Sequence, residues 1–174
     1  MVMENKQLTF LSKDVESLSQ KSDDTNSWTM HIDGASRNNP GPSGAGLCLM
    51  RQNETVCEQG FFLGHRTNNQ AEYFALLIGL FFVHEFMDKK DKLIVYSDSL
   101  LLVRQMNRIY KISNPLLKKM QHLAYEMLQG YNVKFCHVYR EFNVRADFLA
   151  NRGIDKHVPL PKRFLDIISK HEIV

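Results

Sequence analysis

Four carboxylates in this chain stand where an ordinary fold has little use for a charge. Asp33 ends an alternating strand, Glu72 lies in the first turns of an otherwise apolar helix, Asp98 follows a buried strand, and Asp147 lies near the start of a late helix. Each alone has a structural explanation, as a turn residue or as a charge near a helix N-terminus. Gathered together, they would repel one another unless a cation or a proton resolved the conflict.

Oxygen ligands without a pattern of His or Cys around them suit Mg²⁺ or Mn²⁺. Two such ions, roughly 4 Å apart, would clamp the attacking water and the leaving oxygen of a phosphodiester. The four carboxylates are separated along the chain by 39, 26 and 49 residues, so they do not form a local chelating loop. Only the tertiary fold can bring them together.

The elements that must position these carboxylates follow from hydrophobic periodicity and turn signals. Thr67 and Gln70 are spaced as a capping box at the start of the apolar helix, and Asn143 and Gly153 are expected to begin and end the helix that carries Asp147. Strands are predicted over 27–33, 44–51, 55–63, 92–98 and 132–138, and helices from 67, over 99–110, 114–128, 143–153 and 161–170.

This order predicts an α/β fold with a five-stranded mixed sheet, three antiparallel strands followed by two parallel ones, flanked by helices. Three divisions of the chain are expected. Residues 1–26 form an N-terminal extension, flexible or a single helix; residues 27–155 form one domain; and residues 156–174 form a C-terminal tail with a short helix.

Composition limits the classes of function. No apolar run reaches the 18 residues of a membrane span, and no secretory signal is evident, so a cytoplasmic protein without membrane contact is expected. The three cysteines have no CxxC pair, which argues against a disulfide framework or a zinc site. Residues 101–174 carry 13 Lys and Arg against 6 Asp and Glu, a bias that favours an anionic partner such as nucleic acid.

Four blocks of sequence, in this order and spacing, resemble the type 1 ribonuclease H family, whose members cut the RNA strand of RNA/DNA hybrids. The blocks are "DGASRNNPGPSGAG", "TNNQAEY", "YSDS" and "REFNVRADFLAN", and the resemblance runs from about Trp28 to Gly153. It implies the ribonuclease H-like fold and an endoribonuclease that leaves 5′-phosphate and 3′-hydroxyl ends. A monomer is also expected.

The resemblance also implies the roles of individual residues. Asp33, Glu72, Asp98 and Asp147 would be the catalytic residues and would bind two Mg²⁺, with Mn²⁺ as an alternative. Asp33 would bridge the ions, Asp147 would hold the one that activates water, and Glu72 and Asp98 would serve the one at the leaving oxygen. Contacts to the hybrid are implied for Gly34, Ala35, Ser36, Asn39, Thr67, Asn68 and Asn69.

The chain departs from the family pattern at several positions. Asn38 replaces a customary Gly, and Leu100 replaces a common Gln after the SDS block. His137 has the spacing of a histidine that assists product release in many members, but it falls within a predicted strand and is equally compatible with a structural role. The basic protrusion of some relatives is absent, so hybrid contacts are expected from the basic residues Arg104, Arg108, Lys111, Lys118 and Lys119.

Two other functions are compatible with the same residues. The fold could serve as a nucleic-acid-binding module without catalysis, although four mutually repelling acids would then be a liability. It could also carry a nuclease or strand-transfer activity on a different substrate, since fold alone does not fix function.

Overall fold

A computed structural model of the chain describes residues 27–173. The predicted extension over residues 1–26 therefore lies outside the described part. The strands are β1 (Ser27–Ser36), β2 (Gly41–Arg51), β3 (Glu54–Arg66), β4 (Lys92–Ser97) and β5 (Asn132–His137). The helices are α1 (Asn68–Phe86), α2 (Leu100–Met106), α3 (Pro115–Met127), α4 (Val144–Lys156) and α5 (Lys162–Lys170), with a 3₁₀ turn at Arg140–Phe142.

The sheet has the mixed topology that the sequence predicts. Its strand order is β3-β2-β1-β4-β5. β1 pairs antiparallel with β2, and β2 pairs antiparallel with β3, whereas β4 runs parallel to both β1 and β5. Because β1 and β4 are parallel neighbours, their carboxyl ends lie side by side at the same end of the sheet. The chain order of the strands also reverses between them, which is where ligands commonly bind in α/β sheets.

The apolar face of β1 packs against α1, which is buried on nearly every side. Trp28, Met30 and Ile32 alternate along β1 and are all buried. Thr67 caps α1 in a complete capping box with Gln70, as predicted. Because α1 is apolar all round, it needs cover beyond the sheet. α5 supplies part of that cover, since Phe81 and Phe164 pack edge to face.

The segment after α4 is joined to the core. Its predicted helix is present as α5, and Phe164, Ile168 and Ile173 belong to the buried cluster of the domain. An ion pair between Arg163 and Glu85 ties α5 to α1. No helix within residues 27–173 has the length and hydropathy to cross a lipid bilayer.

The first three strands are longer than the sequence patterns predict. The Gly-rich stretch after Asp33 reads as a loop, but β1 continues to Ser36 and β2 already begins at Gly41. The glycines in these strands serve close packing. A Cβ on Gly44 would lie 2.2 Å from the Ala150 oxygen of α4, and one on Gly46 would lie 2.1 Å from that of Ala146.

Two predicted helix ends are wrong, each for a tertiary reason. α2 stops at Met106, where the side chain of Asn107 donates to the Phe135 oxygen of β5 and Arg108 adopts φ 60°. α4 passes through Gly153, the predicted stop, and ends at Lys156. Gly153 lies against the backbone of Phe61, where a Cβ would be 2.6 Å from the nitrogen, so this glycine permits contact with β3.

Candidate active site

Three of the predicted carboxylates converge at the edge where β1 and β4 end. Asp33 lies within β1, Asp98 follows the last residue of β4, and Glu72 lies near the start of α1. One side-chain oxygen from each lies within 4.8 Å of the others. Asp33 and Glu72 are only 5% and 6% exposed. The structure therefore assembles an acidic cluster from residues far apart in sequence.

Close packing of α1 on β1 makes this arrangement possible. A Cβ on Gly34 would lie 2.1 Å from the Glu72 nitrogen, so only glycine lets α1 approach the strand so closely. The Gly34 N–H donates to Oε2 of Glu72 at 3.2 Å. The glycine after Asp33 thus both admits Glu72 and orients its carboxylate.

Asp147 lies in the same cleft but is held differently. Its carboxylate accepts a hydrogen bond from the Arg140 guanidinium at 2.8 Å, and 28% of its side chain is exposed. The cleft has a volume of about 310 Å³ and is lined by Asp33, Gly34, Ala35, Ser36, Asn68, Glu72, Asp98, Arg140, Asp147 and Asn151. All four predicted carboxylates therefore face one cavity.

Burial and mutual repulsion raise the proton affinity of the inner carboxyls. Burial, then the charges of Asp98 and Asp147, raise the pKa of Asp33 to about 7, while Arg140 acts in the opposite direction. Burial and the charges of Asp33 and Asp98 also raise the pKa of Glu72 well above its ordinary value, opposed by the Gly34 N–H. A site of this kind is stabilised by protons or by cations.

The donor set suits hard divalent cations. All its members are carboxylate oxygens, and the cluster of Asp33, Glu72 and Asp98 contains no sulfur or imidazole. Mg²⁺ and Mn²⁺ prefer such oxygen ligands. The residues present therefore fit the metal ions that the sequence predicts.

The residues predicted to contact nucleic acid divide between two depressions. Gly34, Ala35, Ser36 and Asn68 line the acidic cleft. The other three, Asn39, Thr67 and Asn69, line a neighbouring depression with Lys111 and Asn114 among others. Asn39 also accepts a hydrogen bond from the Asn68 N–H at 3.0 Å, which links the loop before β2 to the start of α1.

His137 lies opposite Ser97, the residue before Asp98, where β5 pairs with β4. It is the last residue of β5, as the sequence suggests, and its exposed ring contacts Tyr139 with the centroids 5.8 Å apart. It is not among the residues that line the cleft in the described part of the chain.

Several of the basic residues predicted to meet nucleic acid already have protein contacts. Arg104 lies over the Tyr110 ring and Arg108 over the Tyr125 ring. Lys119 pairs with Glu172 at 2.6 Å. Lys111 lines the same depression as Asn39, Thr67 and Asn69, which are predicted contact residues.

The sequence did not predict the roles of two polar residues in the site. Asn143 precedes α4 as predicted, yet its side chain makes no capping bond and instead donates to Oδ1 of Asp98 at 2.9 Å. Arg140 pairs with Asp147 across a 3₁₀ turn that the sequence does not predict. Both lie in the "REFN" segment just before α4, at the start of the block "REFNVRADFLAN". Their closeness in sequence to Asp147 could have marked them as residues of the site.

His31, on the same strand as Asp33, is half-buried beside this site. Its Nδ1 lies 3.3 Å from Oδ1 of Asn143. Burial lowers the pKa of His31, and the hydrogen bond with Asn143 acts in the opposite direction.

A mixed five-stranded sheet with acidic residues gathered at the ends of two parallel strands defines a ribonuclease H-like protein. The family described as "Reverse transcriptase-like" matches residues 31–153. The crystal structure of RNase H1 from Halobacterium salinarum superposes on this chain with a TM-score of 0.71 and 36% sequence identity. The match covers 75% of this chain and 98% of that one. The chain belongs to the type 1 ribonuclease H family.

Three further comparisons agree with this family. LC11-RNase H1, solved in complex with an RNA/DNA hybrid, is 37% identical with a TM-score of 0.71, covering 74% of this chain and 97% of that one. A bifunctional protein of Mycobacterium tuberculosis is 34% identical over 72% of this chain but only 35% of its own length. The curated ribonuclease HI of Halobacterium salinarum is 38% identical, with 72% of this chain and 63% of its own length covered. The chain thus spans less than two thirds of these curated relatives.

Proposed function

We propose that this chain is an endoribonuclease that hydrolyses the RNA strand of RNA/DNA hybrids with two bound Mg²⁺. The observation that carries the proposal is the convergence of Asp33, Glu72 and Asp98 within 4.8 Å, with Asp147 in the same cleft. The complex of LC11-RNase H1 with a hybrid supports the substrate class.

The four carboxylates would hold the metal ions, with Mn²⁺ as the alternative that the same oxygens accept. When bound, the two cations supply Lewis-acid stabilisation to the attacking water and to the leaving oxygen of the phosphodiester. Asp33 occupies the centre of the set, because its carboxyl interacts with both Asp98 and Asp147. Gly34 orients Glu72, and Asn143 orients Asp98.

The strand segment beside Asp33 would recognise the RNA. Gly34, Ala35 and Ser36 line the cleft next to the carboxylates, where a short side chain or none leaves room for a ribose. The 2′-hydroxyl is the group that distinguishes RNA from DNA at such a contact. Asn39, Thr67, Asn68 and Asn69 surround the N-terminus of α1, which suits phosphate groups.

The decisive experiment is cleavage of a strand-labelled RNA/DNA hybrid in Mg²⁺ by the wild type and by Asp98→Asn. The amide of the variant still accepts the hydrogen bond from Asn143 but loses the charge. We expect the wild type to cut only the RNA strand, leaving 5′-phosphate and 3′-hydroxyl ends, and the variant to be inactive while folded. Unchanged turnover by the variant would remove Asp98 from the site.

A panel of substrates separates this function from the alternatives. Hybrid, double-stranded RNA, double-stranded DNA and a branched junction are compared at one salt concentration, because affinity for nucleic acid depends strongly on salt. Cleavage of another duplex in preference to the hybrid would indicate a different nuclease. Binding of the hybrid without cleavage by the wild type would indicate a binding module.

Three properties remain predictions of the sequence. They are a role for His137 in product release, a monomeric state and a cytoplasmic location. A His137→Ala variant whose kcat matches that of the wild type in Mg²⁺ would leave this histidine a structural role only.

A further inference from the structure

A continuous set of side-chain hydrogen bonds leads from β1 to Asp98. The amide nitrogen of Asn143 donates to the Ile32 oxygen and to Oδ1 of Asp98, each at 2.9 Å. The amide oxygen of the same residue lies 3.3 Å from Nδ1 of His31. Asn143 is 1% exposed, so its polar atoms depend on these three partners.

The partners fix which way the amide faces. The Ile32 oxygen can only accept, and a carboxylate such as Asp98 also accepts, so both amide hydrogens of Asn143 are committed to them. The amide oxygen must then face His31, and Nδ1 of the imidazole must carry a hydrogen. Turning the amide over would set its oxygen against two other oxygens.

The sheet holds the imidazole in place. β1 and β4 pair with His31 opposite Tyr96, and the two rings stack with centroids 4.9 Å apart at 29°. The donor therefore reaches Asn143 from a strand whose position is fixed by the sheet, and the ring has a neighbour that restricts its rotation.

We propose that His31 is a positioning residue that holds Asn143, and through it Asp98, in the arrangement that binds the catalytic metal ions. The proposal rests on the function proposed above. The Asp98 carboxylate faces the charges of Asp33 and Glu72, whose repulsion would turn it out of the cluster. A neutral amide that donates to Asp98 opposes this rotation without placing a competing cation in the site.

Loss of the His31 donor would act through Asn143. The buried amide oxygen would be left without a partner, a state that proteins avoid. Turning the amide over would not satisfy this oxygen, because it would then face two other oxygens. The side chain of Asn143 would have to leave its present position to find a donor, and that movement would withdraw its own hydrogen bond from Asp98. Groups that orient metal ligands in this way typically change metal affinity by about 10- to 100-fold when removed.

Two variants of His31 separate the donor from the ring. His31→Phe keeps a ring for stacking on Tyr96 and removes the donor. His31→Asn removes the ring and places an amide nitrogen near the position of Nδ1. Metal affinity is measured without substrate, from the binding of Mn²⁺ to the purified chain by electron paramagnetic resonance.

We expect His31→Phe to bind Mn²⁺ about tenfold more weakly and to cut the hybrid with a lower kcat but an unchanged KM. We expect His31→Asn to restore both values to within about threefold of the wild type. Thermal unfolding of each variant without metal shows whether it is folded. Wild-type metal affinity and kcat in a folded His31→Phe would overturn the proposal.

The wild-type protein offers a test that needs no variant and no cleavage. Nitrogen-15 NMR of the histidine rings in the metal-free chain should show hydrogen on Nδ1 of His31. Hydrogen on Nε2 alone would overturn the proposal. If the wild type has the expected tautomer and Mn²⁺ binding depends on His31 as described, but no hybrid is cut, the positioning role stands and the proposed function fails.

Discussion

Two buried carboxylates of the site, Asp33 and Glu72, and the more exposed Asp147 differ in how the protein holds them; they are called the inner and outer carboxylates below. Asp33 in β1 and Glu72 in α1 are buried, and desolvation and mutual repulsion raise their pKa values. Asp147 is carried by α4, is 28% exposed on its side chain and pairs with Arg140. The inner part of the site is therefore under electrostatic stress that bound metal ions would relieve, whereas the outer part is already balanced by a protein cation.

The largest effect should come from removing a charge at the centre of the inner cluster. Asp33→Asn is expected to lower cleavage by more than about a hundredfold, since it removes a proposed metal ligand outright. The same change should raise the melting temperature of the metal-free protein, because it removes repulsion from a buried site.

Asp147→Asn is the matched control for this change. It should also impair cleavage but leave the melting temperature in EDTA nearly unchanged, because an exposed ion pair contributes little to stability. Equal thermal shifts in the two variants would show that the inner and outer carboxylates are not electrostatically distinct.

The stability of the metal-free protein should depend on pH in a defined direction. The folded Asp33 has a pKa of about 7, above the value of 3.8 for an unperturbed carboxyl. Between these two values the folded state holds a proton that the unfolded chain releases. The stability that Asp33 contributes is therefore fully present below about pH 4 and is lost as the pH rises through about 7. Glu72 acts in the same direction.

This dependence can be measured by thermal unfolding in EDTA at a series of pH values. Asp33→Asn should give a flatter profile, and added Mg²⁺ should raise the melting temperature most at the alkaline end. A metal-free wild type that loses no stability relative to Asp33→Asn as the pH rises from 5 to 7 would contradict the raised pKa of Asp33.

The smallest effect should come from the outer ion pair. Arg140 is mostly exposed, at 76% of its side chain, and pairs with Asp147 at 2.8 Å. Arg140→Gln should change the free energy of unfolding in urea by less than about 1 kcal/mol, the usual limit for exposed pairs. A larger loss would mean that Asp147 is fixed as firmly as the inner carboxylates.

Local patterns along the chain predicted the elements well. The alternating pattern before Asp33 predicted β1, and the structure buries its alternate residues Trp28, Met30 and Ile32. The capping box at Thr67 is present, and α3 begins at Pro115, within one residue of its predicted start. These features involve residues within a few positions of one another, so their physics is contained in a short window of sequence.

Glycine was the residue whose meaning the sequence left undecided. Gly34 belongs to β1, where the sequence predicts a loop, and Gly153 lies inside α4, where it predicts a helix end. Each instead permits the backbone of one element to approach another. A turn and a close contact make the same demand on the residue type, so sequence alone does not distinguish them.

The sequence by itself determined the mixed order of strands and helices and the identity of the four carboxylates. Only the tertiary structure decided that three of them meet within 4.8 Å, that Asp147 is balanced by Arg140, and that Asn143 serves Asp98 instead of capping α4. The reason is that periodicity and capping act over a few residues, whereas these contacts join segments brought together by the parallel pairing of β1 with β4.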